Sequence, residues 1–147
     1  MNKLLALPDK LAADYGDILA LLGRLGIGAL FLPDAYGKIM NFTNFANGLA
    51  TRGLPFPTVW AVLAIIAVGG GSLAVVLGYR VRVGAVFLIA FVIMANATSH
   101  RFWELQDAAR QAQSSQFWKN TALIGGLIFV WLHGGGRIGL DGRTRSD

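Results

Sequence analysis

The chain has no cysteine, which excludes disulfides, iron–sulfur ligation and thiol chemistry of its own. Without that residue the redox state of its compartment cannot be read either. Charge is scarce: 14% of the residues are Asp, Glu, Lys or Arg, where soluble domains carry roughly 25%. Acids are the rarer sign, 8 against 13 Lys and Arg. Histidine occurs only at His100 and His133, and Met1, Met40 and Met94 form no cluster. A copper or zinc site wants roughly three or four soft or borderline ligands, so the chain alone is a poor candidate for metal. Its arginines suit topology better than a nucleic-acid patch, and no nucleic-acid partner is expected. The opening "MNKLLALPDKLAADYG" has neither a long apolar core nor a small-x-small cleavage site, so a removable signal peptide is not expected.

What the chain has in abundance is apolar length, with 54% hydrophobic residues. Val59–Leu77, Val83–Ser99 and Asn120–Gly136 run without Asp, Glu, Lys or Arg. An earlier candidate, Ile18–Met40, is interrupted by Arg24, Asp34 and Lys38 and contains Pro33. Crossing the hydrocarbon of a bilayer takes about 20 mostly apolar residues. The first segment qualifies if Arg24 lies near one interface and Lys38 snorkels to the other. Nearly every segment is apolar all round rather than along one stripe, which favours lipid over a buried bundle in water. The expected fold is an all-α, integral membrane four-helix bundle. Its domain covers residues 18–138, with helices at about 18–40, 59–77, 83–99 and 120–136. A segment 1–17 precedes it and a tail 139–147 follows. Connectors at about 41–57 and 100–119 are expected to carry short amphipathic interfacial helices on the outer face.

An even number of crossings places both termini together. Lys3, Lys10, Arg24, Arg80, Arg82, Arg137, Arg143 and Arg145 then share one side, and Lys38, Arg52, Arg101, Arg110 and Lys119 the other. The short "GYRVRV" turn carries Arg80 and Arg82 without an acid, and short loops weigh most in the positive-inside rule. Both termini are therefore expected in the cytoplasm of a bacterial cell, with the lipid bilayer of the inner membrane as the first partner. Small residues at Gly23–Ala29, Gly69–Ser72 and Gly125-Gly126 are candidates for close helix approach. "GRLGIG" and "GGGRIG" look like phosphate loops, but neither follows a strand or carries a Walker lysine. "RLGIGALFL" and "RVRVGAVFL" echo each other, either through duplication of a two-helix unit or through the common composition of interfacial segments.

Two polar stretches fall on the expected outer face. In "PDAYGKIMNFTNFANGLATRGLPFP", Asn41 can cap a short helix whose Phe42, Phe45, Ala46 and Leu49 share a face. Asp34 and Lys38, one helical turn apart, can pair. In "HRFWELQDAARQAQSSQFWKN" a helical reading aligns Phe102, Leu105, Ala109 and Ala112 and sends Glu104, Asp107, Arg110 and Gln111 elsewhere. Trp103, Phe117 and Trp118 suit a headgroup boundary. An aromatic belt with solubilising charge explains most of this stretch and His100 least, because nothing obliges a titratable imidazole at the end of a membrane helix. Beside Lys38 or Glu104 it could bond a carbonyl or pass a proton. His100 and Lys38 are the candidate catalytic residues, and Tyr36, Trp103, Lys119 and Asn120 the candidate ligand contacts. Arg24, Asp34, Arg80, Arg82 and Arg137 are read as structural charge.

A set of motifs in fixed order carries a family resemblance: "RLGIGALFL" followed by "YGKIMNF", then "RGLPFP", "GGGSLAVVLGYRVR", "SHRFWE", "FWKNTALIGGL" and "GGGRIGLD". From about Leu22 to Asp141 the chain resembles the DoxX family of small bacterial membrane proteins. The resemblance implies a four-helix membrane fold. The family takes its name from a subunit of a thiosulfate:quinone oxidoreductase, and other members are described as quinol oxidase subunits or membrane parts of redox and metal-stress systems. Many carry a Glu shortly before the glycines of the second helix, where this chain reads "AIIAVGGG"; that departure weighs against catalysis. Two readings therefore stand. One is a membrane subunit serving electron transfer with quinone, fed by a partner protein that carries a redox centre, since no cofactor motif is present. The other is a non-catalytic scaffold or anchor for a partner, including a metal- or oxidative-stress system; self-association is compatible with both. A solute transporter would need a polar path that the middles of the second and fourth segments do not offer.

Overall fold

A computed structural model describes residues 3–143, with side chains described from residue 7 to residue 142. Every regular element among the described residues is helical. The first helix, α1, runs Lys3–Met40, well upstream of the expected start near residue 18. Leu and Ala are prominent in the added turns, and these residues favour helix strongly enough to continue it beyond the apolar run. Pro33 lies inside α1; it withholds one backbone donor without ending the helix. After Asn41 comes α2 (Phe42–Thr51), which buries Ala46 and Leu49. Asn41 occupies the N-cap position, but its side chain makes no cap bond. Its Nδ2 instead donates backwards to the Gly37 carbonyl at 3.2 Å.

The second apolar run forms α3 (Pro57–Ile65) and α4 (Gly71–Leu77), joined by a π-helical turn over Ile66–Gly70. Next comes α5 (Val81–Ser99), a 3-10 turn at Phe102–Glu104, and α6 (Asp107–His133). A last short helix, α7, covers Leu140–Arg143. The expected connector 100–119 is thus mostly helix, continuous with the fourth apolar run. The stretch from Asp107 to Asn120 contains neither Pro nor Gly and is rich in Ala and Gln, so a change in polarity there brings no change in backbone. The helix stops at Gly134, whose φ of 73° ordinary residues avoid.

α5 packs between α4 and α6, and α1 closes on α4 and the π-helical turn. Phe31 and Ala35 of α1, Val68, Val75 of α4, Leu88 and Val92 of α5, and Leu127 of α6 meet in one buried core. A smaller cluster of Ala46, Leu49 and Ala61 fixes α2 to α3. The tightest approach lies between α4 and α5. A Cβ on Gly71 would sit 3.0 Å from the Gly84 carbonyl oxygen, and one on Gly84 would sit 2.8 Å from the Gly71 oxygen. Gly28 is closed in the same way by Val76, whereas Gly125 and Gly126 face open space. The last pair therefore takes no part in the expected close packing.

The outside is as apolar as the inside. Leu22, Leu30, Val62, Leu63, Leu73, Val86, Phe87, Ile93 and Phe129 all stand exposed. A soluble monomer does not spread that much apolar surface around its girth. Leu7–Met40, Pro57–Leu77 and Val81–Glu104 are each long and apolar enough to cross a membrane. The chain is a helical membrane protein, as its composition led us to expect.

Candidate functional site

α5 has 19 residues, so its ends lie roughly 28 Å apart. Arg80 caps one end and His100 the other. This separates a basic end, holding Arg24, Arg80, Arg82 and Arg137, from an end that holds Lys38 and His100.

At the His100 end, α1, α2, α3, α5 and α6 enclose a cavity of about 400 Å³. Its walls are mainly apolar: Phe31, Phe45, Leu49, Trp60, Phe91 and Leu123. Its polar groups are few and converge: Asp34 and Lys38 from α1, Arg52 after α2, Thr98, Ser99 and His100 at the end of α5, and Asn120 from α6. Greasy walls with a handful of fixed polar groups make a typical small-molecule site.

Lys38 is the most constrained of these groups. Its ammonium pairs with Asp34 Oδ1 and lies 5.2 Å from the centre of the Phe45 ring and 5.3 Å from that of Phe91. Two ring faces and a carboxylate stabilise the cation where water is thin. The side chain keeps 17% exposure, so the charge stays accessible from the cavity. His100 is fixed by Gln113 of α6, whose Oε1 lies 2.7 Å from Nδ1. An amide oxygen only accepts, so Nδ1 donates in this bond, and the neutral ring then has its lone pair on Nε2. Glu104, the partner considered from sequence, instead binds Arg101 at 3.1 Å. Asn120 Nδ2 donates to Asn96 Oδ1 at 2.8 Å, and Asn96 Nδ2 donates to the Phe117 carbonyl at 3.2 Å. The Asn120 carbonyl oxygen is thereby oriented while one wall of the cavity is tied together.

Of the residues singled out from sequence as catalytic or ligand contacts, Lys38, His100 and Asn120 line this one cavity, with Asp34 from the structural charges beside them. Tyr36 is 62% exposed and Trp103 53%, and neither they nor Lys119 line it. Trp103 packs edge-on against Phe102 and Phe117, the behaviour of an aromatic belt. Arg52, Trp60, Phe45 and Phe91 line the cavity without having been proposed. Arg52 had counted only toward topology, and an apolar residue facing a cavity has no sequence mark that distinguishes it from one facing lipid.

Arg24, expected near an interface, is 1% exposed. Nη1 donates to the Val75 carbonyl at 3.4 Å and Nη2 to the Ile138 carbonyl. Gly78, at φ 69°, leaves room for that guanidinium: a Cβ there would overlap Arg24 Nη1 and Gly139 Cα. Arg82 donates Nε to the Trp131 carbonyl at 3.1 Å and Nη2 to that of Leu132 at 3.3 Å, closing the last turn of α6. Among the described residues no group of three or more His, Cys, Asp or Glu is placed to hold a metal.

An all-helical membrane body with an amphipathic cavity at one end defines the class. The profile of the DoxX family matches residues 19–101, more than half the chain, and the chain belongs to that family. It is 27% identical over 133 residues to "Inner membrane protein YphA" of Escherichia coli, covering 88% of this chain and 95% of the relative. It is 26% identical over 125 residues to "Inner membrane protein YqjF" of the same organism, covering 85% and 91%. A shorter stretch of 90 residues is 22% identical to "ER-derived vesicles protein ERV29" of Saccharomyces cerevisiae, covering 61% of this chain and 28% of that one. No solved structure matches.

Proposed function

We propose that this is a multi-pass protein of a bacterial inner membrane, with α6 as a fourth crossing and both termini in the cytoplasm. In this reading the cavity at the His100 end receives the head of a quinone or quinol, and the chain is the membrane subunit of a redox system. The inner-membrane relatives support the location. The observation that carries the function is the convergence of Lys38, His100 and Asn120 on one apolar-walled cavity. A quinone head is a flat apolar ring with an oxygen at each end, and both parts find counterparts. Phe91 and Trp60 offer ring surface, while Lys38 donates to one oxygen and His100 Nε2 accepts a hydroxyl proton from the other. The chain has no cysteine and two histidines, so the electrons pass to a partner protein that carries the redox centre.

A second reading has its own support. Lys38 is already satisfied by Asp34 and two rings, which suits a pin that holds α1, α2 and α5 in a scaffold or anchor for another protein, including one of a metal- or oxidative-stress system. Binding of a short-chain ubiquinol or menaquinol to the purified protein separates the two. The redox reading expects saturable binding that weakens about tenfold or more in His100→Ala, through loss of one directed hydrogen bond in a dry site. Unchanged binding in that variant removes the proposed site, and a protein that binds no quinol but co-purifies with a partner favours the scaffold.

A further inference from the structure

The opposite end holds a second, larger cavity, of about 650 Å³, where the start of α5 meets the glycine turn after α6. Arg80, Arg82 and Arg137 line it, together with Asp141 and His133. We propose that it binds the phosphate of an anionic phospholipid headgroup. Asp141 is the one acid that lines it among the described residues, and Asp141 Oδ2 already accepts the backbone N–H of Arg80. Asp17 at its edge is likewise engaged, its Oδ1 accepting the backbone N–H of Arg137 at 2.9 Å. His133 is engaged by its own helix, with Nδ1 2.8 Å from the Phe129 carbonyl and the ring stacked on Phe129. Arg82 is committed to the α6 carbonyls. Arg80 and Arg137 form no ion pair among the described residues. The Arg80 guanidinium lies 5.9 Å from the centre of the Tyr79 ring, an arrangement that leaves its N–H donors for an anion.

The backbone adds to this. Val81 and Arg82 open α5 and line the cavity, and the first amides of a helix lack helical acceptors and sit at its positive pole. Gly134 and Gly136, both at positive φ, let the opposite wall bend without side chains. The rim identifies the source of the anion. Tyr79, Ile138 and Leu140, each next in sequence to a residue in or beside the cavity wall, and Trp131, whose carbonyl accepts from Arg82, stand exposed, giving acyl chains a surface that a free phosphate does not need. Basic pockets between membrane helices recognise lipid headgroups in this manner.

The test is native mass spectrometry of the full chain in detergent, titrated with phosphatidylglycerol or phosphatidylcholine of the same acyl chains. Phosphatidylglycerol should bind about tenfold more tightly. Arg80→Gln with Arg137→Gln should abolish that preference. Arg80→Lys with Arg137→Lys should keep most of it, as should Arg101→Gln with Arg110→Gln near the other end. Should the Gln pair fail to fold, the wild-type protein decides alone: phosphatidylglycerol should raise its melting temperature and phosphatidylcholine should not. Equal binding of the two lipids, a preference that survives the Gln pair, or displacement of the lipid by millimolar inorganic phosphate would each overturn the proposal; the last would assign the site to a free anion.

Discussion

Arg24 and Ile138 are separated by 114 positions and joined by a hydrogen bond from the guanidinium to the carbonyl. That contact, with the second one to Val75, makes a buried cation the bolt between α1, α4 and the segment after α6. Arg24→Met leaves the part-buried Ile138 carbonyl without its guanidinium donor and the Val75 carbonyl with the Gly78 N–H at 3.3 Å; a carbonyl left unpaired costs about 1–3 kcal/mol. Relief from burying the charge offsets part of this. The expected net loss is about 1 kcal/mol, read as a lower melting temperature in detergent. Arg24→Lys should fall between, because an ammonium cannot reach both carbonyls in a fixed fork.

Lys38 and Asp34 should behave as a unit. Removing either partner leaves the other unpaired beside apolar walls, whereas removing both leaves none. Lys38→Met and Asp34→Asn are each expected to destabilise by about 1 kcal/mol, kept small because Asp34 is 42% exposed. The double variant should lose less than the sum. A thermal double-mutant cycle measures the coupling.

The contact of α4 with α5 depends on two missing side chains. Gly84→Val would push a branched carbon into the Gly71 carbonyl and Ala74 and should cost about 1–3 kcal/mol by overpacking. Gly126→Ala, at a position open to its surroundings, should leave stability within about 0.5 kcal/mol. Both are read from detergent melting curves.

Asn96 and Asn120 join α5 to α6 inside the apolar body. Asn120→Leu should cost about 1 kcal/mol, the scale of polar contacts between membrane helices. It should also weaken quinol binding, since Asn120 lines the cavity that His100 shares. Loss of stability without loss of binding would make Asn120 a tie and nothing more.

Much of this architecture is legible in the sequence, for a physical reason. Lipid demands long apolar runs, and Val59–Leu77 and Val83–Ser99 meet that demand in plain view. The grouping of Lys38 with His100 follows from counting crossings. Helix ends were less legible, because polarity shows where water begins and not where a helix stops: α6 begins at Asp107, deep in the polar stretch. The π-helical turn at Ile66–Gly70 leaves no mark in an apolar run. The partners of Arg24 are backbone carbonyls, which every residue possesses, so nothing in the sequence singles them out. In a membrane helix both faces are apolar, and periodicity cannot separate Phe91 at the cavity from Phe87 on the outer surface.

The absence of native cysteine makes the decisive measurement simple. Ser99 lines the cavity, and Ser99→Cys gives the chain a single thiol at the proposed site. In intact spheroplasts a membrane-impermeant maleimide should label it from outside, and a short-chain quinol should protect it in a saturable manner. Labelling that occurs only in inside-out vesicles would contradict the orientation. Labelling from outside that quinol leaves unaltered would contradict the claim that this cavity is where the ligand binds.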